Sequence, residues 1–308
     1  MSGQPEISFV IPVYNKADIL PHTLSALAGQ RLSVPVEYIF VDDASRDGSA
    51  DILQARADAL PGTVVIRNSD NAGPSRRLNQ GAAQARGRYL CLIDADELIA
   101  PDAVATMLRL MQEHQADMVH GKVKHAAQAA AELHPPAIGT APAMEINDRP
   151  LVTILDGRGF VRMAWLVETT LFRAAGGCDE RLFIQDESLP LRLALKARRL
   201  IDLRAYVMWA PRAESHLSSD KRQQHHDRFF AYYNLLRDTG GLAPQDRRKI
   251  AAICASIAWK ATRRSGLRLG TASALVSYVA AKIGLDVSDR YLDRAAAAFR
   301  AMPNIRKP

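Results

Sequence analysis

Short apolar runs rich in Val, Ile, Leu and Phe open this chain. Each ends in a polar cluster, and stretches with helical spacing separate them. ISFVIPVYN (7–15) reads as a buried strand feeding a loop at Asn15, and ADILPHTLSALAGQ (17–30) has helical spacing. VEYIFVDDASRDGSA (36–50) is a second strand ending in paired acids and a turn, followed by the helical ADILQARADAL (50–60). TVVIRNSDNAGPS (63–75) gives a third strand and loop, RRLNQGAAQARG (76–87) a helix, and RYLCLIDADE (88–97) a fourth strand. Strands alternating with helices predict a parallel, doubly wound sheet, in which ligands bind beyond the carboxyl ends of the strands. Asn15, Asp42, Asp43, Asn71 and the acids from Asp94 to Glu97 all follow strand ends, so they should converge on one rim. Any one of these acids alone would read as a turn or helix cap.

Beyond the fourth strand the pattern weakens. Residues 126–150, rich in Ala and Pro, predict a long loop or a lid over the site, with a surface insertion as the alternative. His114, His120, His125 and His134 lie nearby and are assigned to no metal. Gly176-Gly177 marks a turn, and Asp186-Glu187 precede a helical run over 189–199, where acids suit a helix start. From 246 onward the chain reads as helical, with Ile250, Ile253, Cys254, Ile257, Ala258 and Ala261 forming one apolar stripe flanked by Arg and Lys.

Charge changes the picture of this last part. Residues 241–308 hold 13 Lys/Arg against 4 Asp/Glu, a net of +9, whereas the other 240 residues hold 27 against 29, a net of −2. The body is close to neutral and the tail basic. The three cysteines, Cys91, Cys178 and Cys254, are far apart and form no CxxC pair, which argues against a disulfide framework or zinc site and fits a reducing compartment. MSGQPEISFV lacks a basic n-region and a long apolar stretch, so no signal peptide is expected, and ASALVSYVAAKIGL is too short to span a bilayer.

Five segments, in order, resemble the motifs of family 2 glycosyltransferases: FVIPVYN, VDDASRDGS, NAGPSRRLNQG, LIDADE and GGCDERLFIQDESLPLRLA. The resemblance covers roughly residues 7–200. It implies an α/β GT-A fold, a Rossmann-like, mixed and mostly parallel sheet flanked by helices, spanning 1–215, with a basic helical C-terminal extension over 216–308. It also implies inverting transfer of a sugar from a nucleotide-diphospho-sugar to an acceptor hydroxyl, in synthesis of a cell-surface polysaccharide or lipopolysaccharide. Three departures stand out. Leu78 occupies the place where the family often has Arg, with Arg76 and Arg77 just upstream. Asp94-Ala95-Asp96-Glu97 replaces the common D-x-D-D, and Gln185 and Ser188 replace acids of the late motif.

Carried over residue by residue, the resemblance places Pro12, Tyr14 and Asp43 around the nucleotide base and Asp94 near the ribose. Asn15, Asn71, Arg76 and Arg77 complete the nucleotide-binding set. Asp96 and Glu97 become the ligands of a divalent cation, Mn²⁺ or Mg²⁺, and Asp186 the catalytic base. Such a cation would stabilise the diphosphate leaving group, and hard cations favour oxygen ligands. An aspartate beside the base accepts the imide N–H of uracil, so UDP is the expected carrier, with dTDP the alternative. His216, in ESHLSSDKR, resembles a late segment that folds over donor phosphates in some relatives, with a surface loop as the plain alternative; Lys221 and Arg222 would touch phosphate or solvent.

The expected partners are therefore a nucleotide-sugar and a glycan or lipid-linked glycan, with no nucleic acid. A cytoplasmic location is expected, with the basic tail held peripherally at the inner face of the membrane, or packed on the catalytic domain or a second subunit. Two other functions compete. A sugar nucleotidyltransferase would carry a Gly-rich loop after the first strand, and PVYNKADI has no glycine. A non-catalytic membrane-surface binder would rest on the basic tail alone.

Overall fold

The structure, a computed structural model, describes residues 4–56, 60–157, 160, 163–212 and 220–307. Among them, one sheet contains β1 (Ile7–Val13), β2 (Val36–Asp42), β3 (Thr63–Arg67), β4 (Tyr89–Leu92), β5 (Leu98–Ile99), β6 (Met118–His125), β7 (Met144–Asn147), β8 (Trp165–Glu168) and β9 (Leu200–Ala210). The helices are α1 (Leu20–Ala28), α2 (Ser49–Arg56), α3 (Pro74–Gln84), α4 (Ala103–His114), α5 (Pro150–Leu155), α6 (Thr169–Ala175), α7 (Gln185–Lys196), α8 (Lys221–Asp238), α9 (Pro244–Arg264), α10 (Thr271–Lys282) and α11 (Asp289–Arg300). Strand order is β3-β2-β1-β4-β8-β6-β9-β5, with β7 beside β9.

The first four strands pair in parallel and in step. Val13 lies opposite Asp42, Asp42 opposite Arg67, and Val10 opposite Leu92. Their carboxyl ends therefore share one rim, which is what brings Asn15, Asp43, Asn71 and Asp94 together. Strands β1, β2 and β4 read as unbroken apolar runs because both faces are covered, whereas the edge strand β3 is half-exposed. On β1, Val10 joins the core on one side of the sheet, while Phe9 and Ile11 join the core on the other. The second half of the sheet is mixed: β8 runs antiparallel to both β4 and β6, whereas β6 and β9 are parallel. Three helices, α3, α5 and α9, start on a proline, whose missing N–H costs nothing in a first turn. Cys91, Cys178 and Cys254 are free and buried, and burial pushes each thiol pKa up, so they act as small core residues.

Two readings left open by the sequence are narrowed here. From residue 138 on, the 126–150 segment is a surface insertion and not a lid. The carboxylate of Asp102 accepts from the N–H groups of Ile138 and Gly139 at 2.8 and 3.0 Å, Arg109 donates to the Thr140 carbonyl, and β7 pairs with the Leu200–Leu203 end of β9, away from the rim. Polar anchors on a neighbouring helix start hold this segment along the sheet edge. The stripe on α9 is not a free amphipathic face either. Ile250, Cys254, Ala258 and Ala261 are fully buried in the core that also takes Trp165, Leu189 and Leu200. In the same core Phe229 of α8 stacks on Phe299 of α11 with centroids 4.4 Å apart. Helices α8, α9 and α11 thus complete the side of the sheet begun by α3. The boundary expected at 215/216 falls outside the described residues. Among the described residues no helix is long and apolar enough to cross a membrane.

Candidate active site

A cleft of about 540 Å³ opens on the rim. Pro12, Tyr14, Asn15, Asp43 and Asn71 line it from the β1, β2 and β3 side. Asp94, Asp96 and Glu97 line it from the end of β4, and Asp186 from the first turn of α7.

The paired acids after β2 do different things. Asp43 is buried, and its two carboxylate oxygens accept from the Ala72 and Gly73 N–H groups at 2.8 and 2.9 Å. Asn71 donates to the Asp43 carbonyl at 3.1 Å. The loops after β2 and β3 are thereby fastened to each other. Gly73 sits at φ +83°, and a Cβ there would meet the Phe183 ring at 2.8 Å, so glycine is required twice over. The rest of VDDASRDGS fastens the loop after β1. Asp47 accepts from the Ala17 N–H at 2.9 Å, Ser49 Oγ from the Lys16 N–H at 2.8 Å, and the Asn15 side chain from the Arg46 N–H at 2.9 Å. Burial raises the Asp47 pKa, but the hydrogen bonds from Ala17 and Ser49 outweigh it, and the carboxyl sits below its ordinary value. Tyr14 is left 41% exposed at the mouth of the cleft, a ring with one face available for stacking.

Arg76 and Arg77 do not line the cleft. Arg77 is buried and donates from Nε to Asp43 Oδ1 at 2.5 Å and from Nη2 to the Asp70 carbonyl at 2.6 Å. It positions the aspartate rather than meeting a phosphate. Arg76 points toward Glu180, 3.8 Å away. His216 lies outside the described residues. Lys221 and Arg222 fall in the first turn of α8, capped by Asp220, and neither lines the cleft.

Asp186 reaches the rim through its neighbour. Gln185 donates from Nε2 to Asp94 Oδ1 at 2.9 Å, tying the start of α7 to the end of β4. The turn before α7 is set by Gly177, at φ +62°, whose missing side chain leaves room for Asn79, which bonds both the N–H and the carbonyl of Cys178. Glu187, next to Asp186, accepts both prongs of Arg228 at 2.8 Å. The helix itself has Ile184 as N-cap and no side-chain cap bond.

Sequence reasoning missed several lining residues. Lys16 donates to Asp96 Oδ2 at 2.5 Å, and its place directly after Asn15 was the signal. Gln185 was noted only as a departure. Gln223 and Arg228 come from α8 and Arg306 from the segment after α11, and none carries a local signal.

The chemistry of the set is plain. Asp96 and Glu97 offer hard oxygen donors, and Asp96 already draws a cation, the Lys16 ammonium, to its carboxylate. Among the described residues no group of three or more His, Cys, Asp or Glu side chains forms a metal cage. A divalent ion that shares its coordination with phosphate oxygens needs only one or two protein carboxylates. The residues fit such an ion.

Comparison with known proteins agrees with this geometry. The profile of the family described as "Glycosyl transferase family 2" matches residues 8–166. The poly(ribitol-phosphate) beta-glucosyltransferase of Bacillus spizizenii is 36% identical over 121 residues, 39% of this chain and 19% of that protein. The chain spans between 19% and 38% of the length of the first curated relatives it matches. The fold resembles the crystal structure of S. aureus TarS 1–349 in complex with UDP-GlcNAc, with TM-score 0.70 and 19% identity over 96% of this chain and 88% of that one. It also resembles the mannosyltransferase PcManGT from Pyrobaculum calidifontis in complex with GDP-Man and Mn²⁺, with TM-score 0.56 and 15% identity over 97% of this chain and 87% of that one.

Proposed function

The chain belongs to glycosyl transferase family 2, and from that membership we propose that it moves a sugar from a nucleoside-diphosphate sugar, with UDP as carrier, to an acceptor hydroxyl in cell-envelope polysaccharide synthesis. The observation that carries this reading is the Gln185–Asp94 bond, which ties the first turn of α7, where Asp186 lines the cleft, to the acid cluster of β4. TarS with UDP-GlcNAc and PcManGT with GDP-Man support a nucleotide-sugar donor, and the Bacillus relative supports an envelope polyol-phosphate or glycan acceptor.

Tyr14, Pro12, Asn71 and Asp43 hold the nucleoside, with the Asp43 carboxylate oriented by Arg77. Asp94 takes the ribose end. Asp96 and Glu97 hold a divalent cation, which when bound offsets charge on the departing diphosphate. Asp186 accepts the proton of the acceptor hydroxyl as its oxygen attacks the anomeric carbon. The new carbon–oxygen bond forms on the face opposite the breaking bond to phosphate, which gives inversion.

The acceptor is met at an anionic membrane surface, and α10 is the element that reaches it. The apolar stripe of α9 is buried, but α10, which packs mainly along α9, leaves Val276 67% and Ile283 68% exposed, with Leu275, Val279 and Leu285 beside them. Trp259 of α9 stacks on Tyr278 of α10, flanked by Arg263 and Lys282. Lys260, Arg263, Arg264 and Arg268 have no carboxylate partner among the described residues, whereas Arg247, Arg248 and Lys249 at the other end of α9 each have one. Exposed apolar residues on α10, together with these cations of the α9 end, suit an anionic lipid surface.

A donor screen tests the central reading. Nucleotide release from a UDP-sugar and thermal stabilisation by UDP with Mn²⁺ are expected. A protein that is stabilised by none of UDP, dTDP or GDP in either metal is not a sugar transferase.

A further inference from the structure

Residue 306 is held at the lip of the cleft by a side chain that water barely reaches. Gln223, 1% exposed, accepts from the Arg306 backbone N–H at 2.8 Å and donates from Nε2 to the Arg306 carbonyl at 3.2 Å. The same Nε2 lies 3.0 Å from each oxygen of Asp227. Asp227, fully buried, accepts the Ile184 N–H at 2.8 Å. Ile184 immediately precedes α7, whose first turn carries Asp186. A closed network of buried hydrogen bonds therefore fixes the backbone at 306 relative to the proposed base.

The side chain of Arg306 lines the cleft, with its guanidinium 5.7 Å from the centroid of the Phe183 ring. That ring packs against Gly73, whose N–H holds Asp43. The cation thus stands on the wall between Asp186 and the proposed nucleoside site.

Charge gives this position its meaning. The cleft is rich in carboxylates, and a diphosphate entering it adds more negative charge in partly dehydrated surroundings. Among the described cations that line it, Lys16 is bound to Asp96 and Arg228 to Glu187, while Arg306 has no carboxylate partner. A guanidinium matches phosphate oxygens in a two-pronged geometry. Fixing its backbone in advance removes part of the ordering cost of binding.

We infer that Arg306 is a binding residue for the diphosphate of the nucleotide donor. The inference rests on the donor reading above, and one set of measurements separates the two. Titration calorimetry follows UDP in the presence of Mn²⁺, and saturation-transfer NMR follows uridine. Wild-type protein that binds none of UDP, dTDP and GDP ends the donor reading itself. Where wild type binds UDP, R306Q should weaken it about tenfold, the loss of one charge-assisted contact, and leave uridine binding unchanged. R306K should recover part of the loss as a point charge without the fork. Added salt should narrow the gap between wild type and R306Q. UDP affinity in R306Q within about twofold of wild type, or an equal weakening of UDP and uridine, overturns the assignment to the diphosphate.

Discussion

The Lys16 ammonium lies 2.5 Å from Asp96 Oδ2, joining the loop after β1 to the end of β4 across the mouth of the cleft. Both side chains are about a quarter exposed, 29% and 24%. On the proposed reading, a divalent ion at Asp96 would compete with this ammonium for the carboxylate. Replacing Lys16 by Met removes the competitor. We expect nucleotide-free Mn²⁺ affinity to rise about two- to fivefold, the scale of a partly exposed ion pair. Asp96→Asn should remove the Mn²⁺-dependent part of UDP affinity. Electron paramagnetic resonance titration of Mn²⁺ reads the first effect and calorimetry with UDP the second. Equal UDP affinity with and without Mn²⁺ in the wild type would remove the metal from the proposed mechanism.

Asp186 can be tested without breaking the helix that carries it. The N-cap of α7 is Ile184, whose side chain makes no cap bond, and Asp186 sits inside the first turn rather than at the cap. Asp186→Asn keeps the size of the side chain but takes no proton. Transfer should fall by about 10²–10⁴-fold, the usual contribution of a general base, with UDP affinity near wild type. Steady-state nucleotide release set beside calorimetric affinity separates the two quantities. Transfer by Asp186→Asn at the wild-type rate would assign the proton to another acceptor.

The fold and site were legible in unequal measure, and the reason is physical. Strands β1, β2 and β4 are buried on both faces and β3 is a half-exposed edge, all four in parallel register; each reads as an apolar run with a polar end, and the alternation itself puts Asn15, Asp43, Asn71 and Asp94 on one rim. Strands β6 and β9 mix polar and apolar residues, as in MVHGKVKH, and lie in the mixed part of the sheet; no run announces them. The periodicity of α9 identified a face to be buried but could not say what would bury it. Pairings between distant segments were out of reach. Gln185 meets Asp94 across 91 positions and Gln223 meets Arg306 across 83, and neither partner carries a local mark of the other. Arg77 shows the limit most sharply. The resemblance put it in the nucleotide-binding set, yet the fold turns it inward onto Asp43.

That pair makes a prediction about stability as well as binding. The Arg77 and Asp43 side chains are only 8% and 4% exposed, and Asp43 fastens the Ala72–Gly73 turn. Removing one partner of a buried pair leaves an uncompensated charge, at a cost of about 3–5 kcal/mol. Arg77→Leu should lose about that much stability in urea denaturation, with an unchanged m-value. Nucleotide affinity should fall with it, because the Asp43 carboxylate and the turn beneath it lose their support. A stability loss below about 1 kcal/mol would mean that Asp43 is held by its backbone donors alone.

On the proposed reading, helix α10 is what brings the enzyme to an anionic surface. Its one fully buried residue is Ala274, and Val276, Val279 and Ile283 lie on one exposed side of the helix. A face of this kind is covered in use by lipid or by a second copy of the chain, and the unpaired cations Lys260, Arg263, Arg264 and Arg268 favour lipid, since identical cationic rims repel each other. Each cation near an anionic bilayer contributes about 1 kcal/mol, so replacing three of them by Gln should weaken liposome binding by roughly a hundredfold. Wild-type protein is expected to co-sediment with phosphatidylglycerol vesicles at low salt and to detach as salt rises. Val276→Asp with Ile283→Asp should abolish co-sedimentation and leave UDP binding intact, because neither residue touches the core that α9 shares with the sheet. Protein that ignores these vesicles but elutes as a dimer, and becomes monomeric on the same double substitution, would assign the face to a second copy instead.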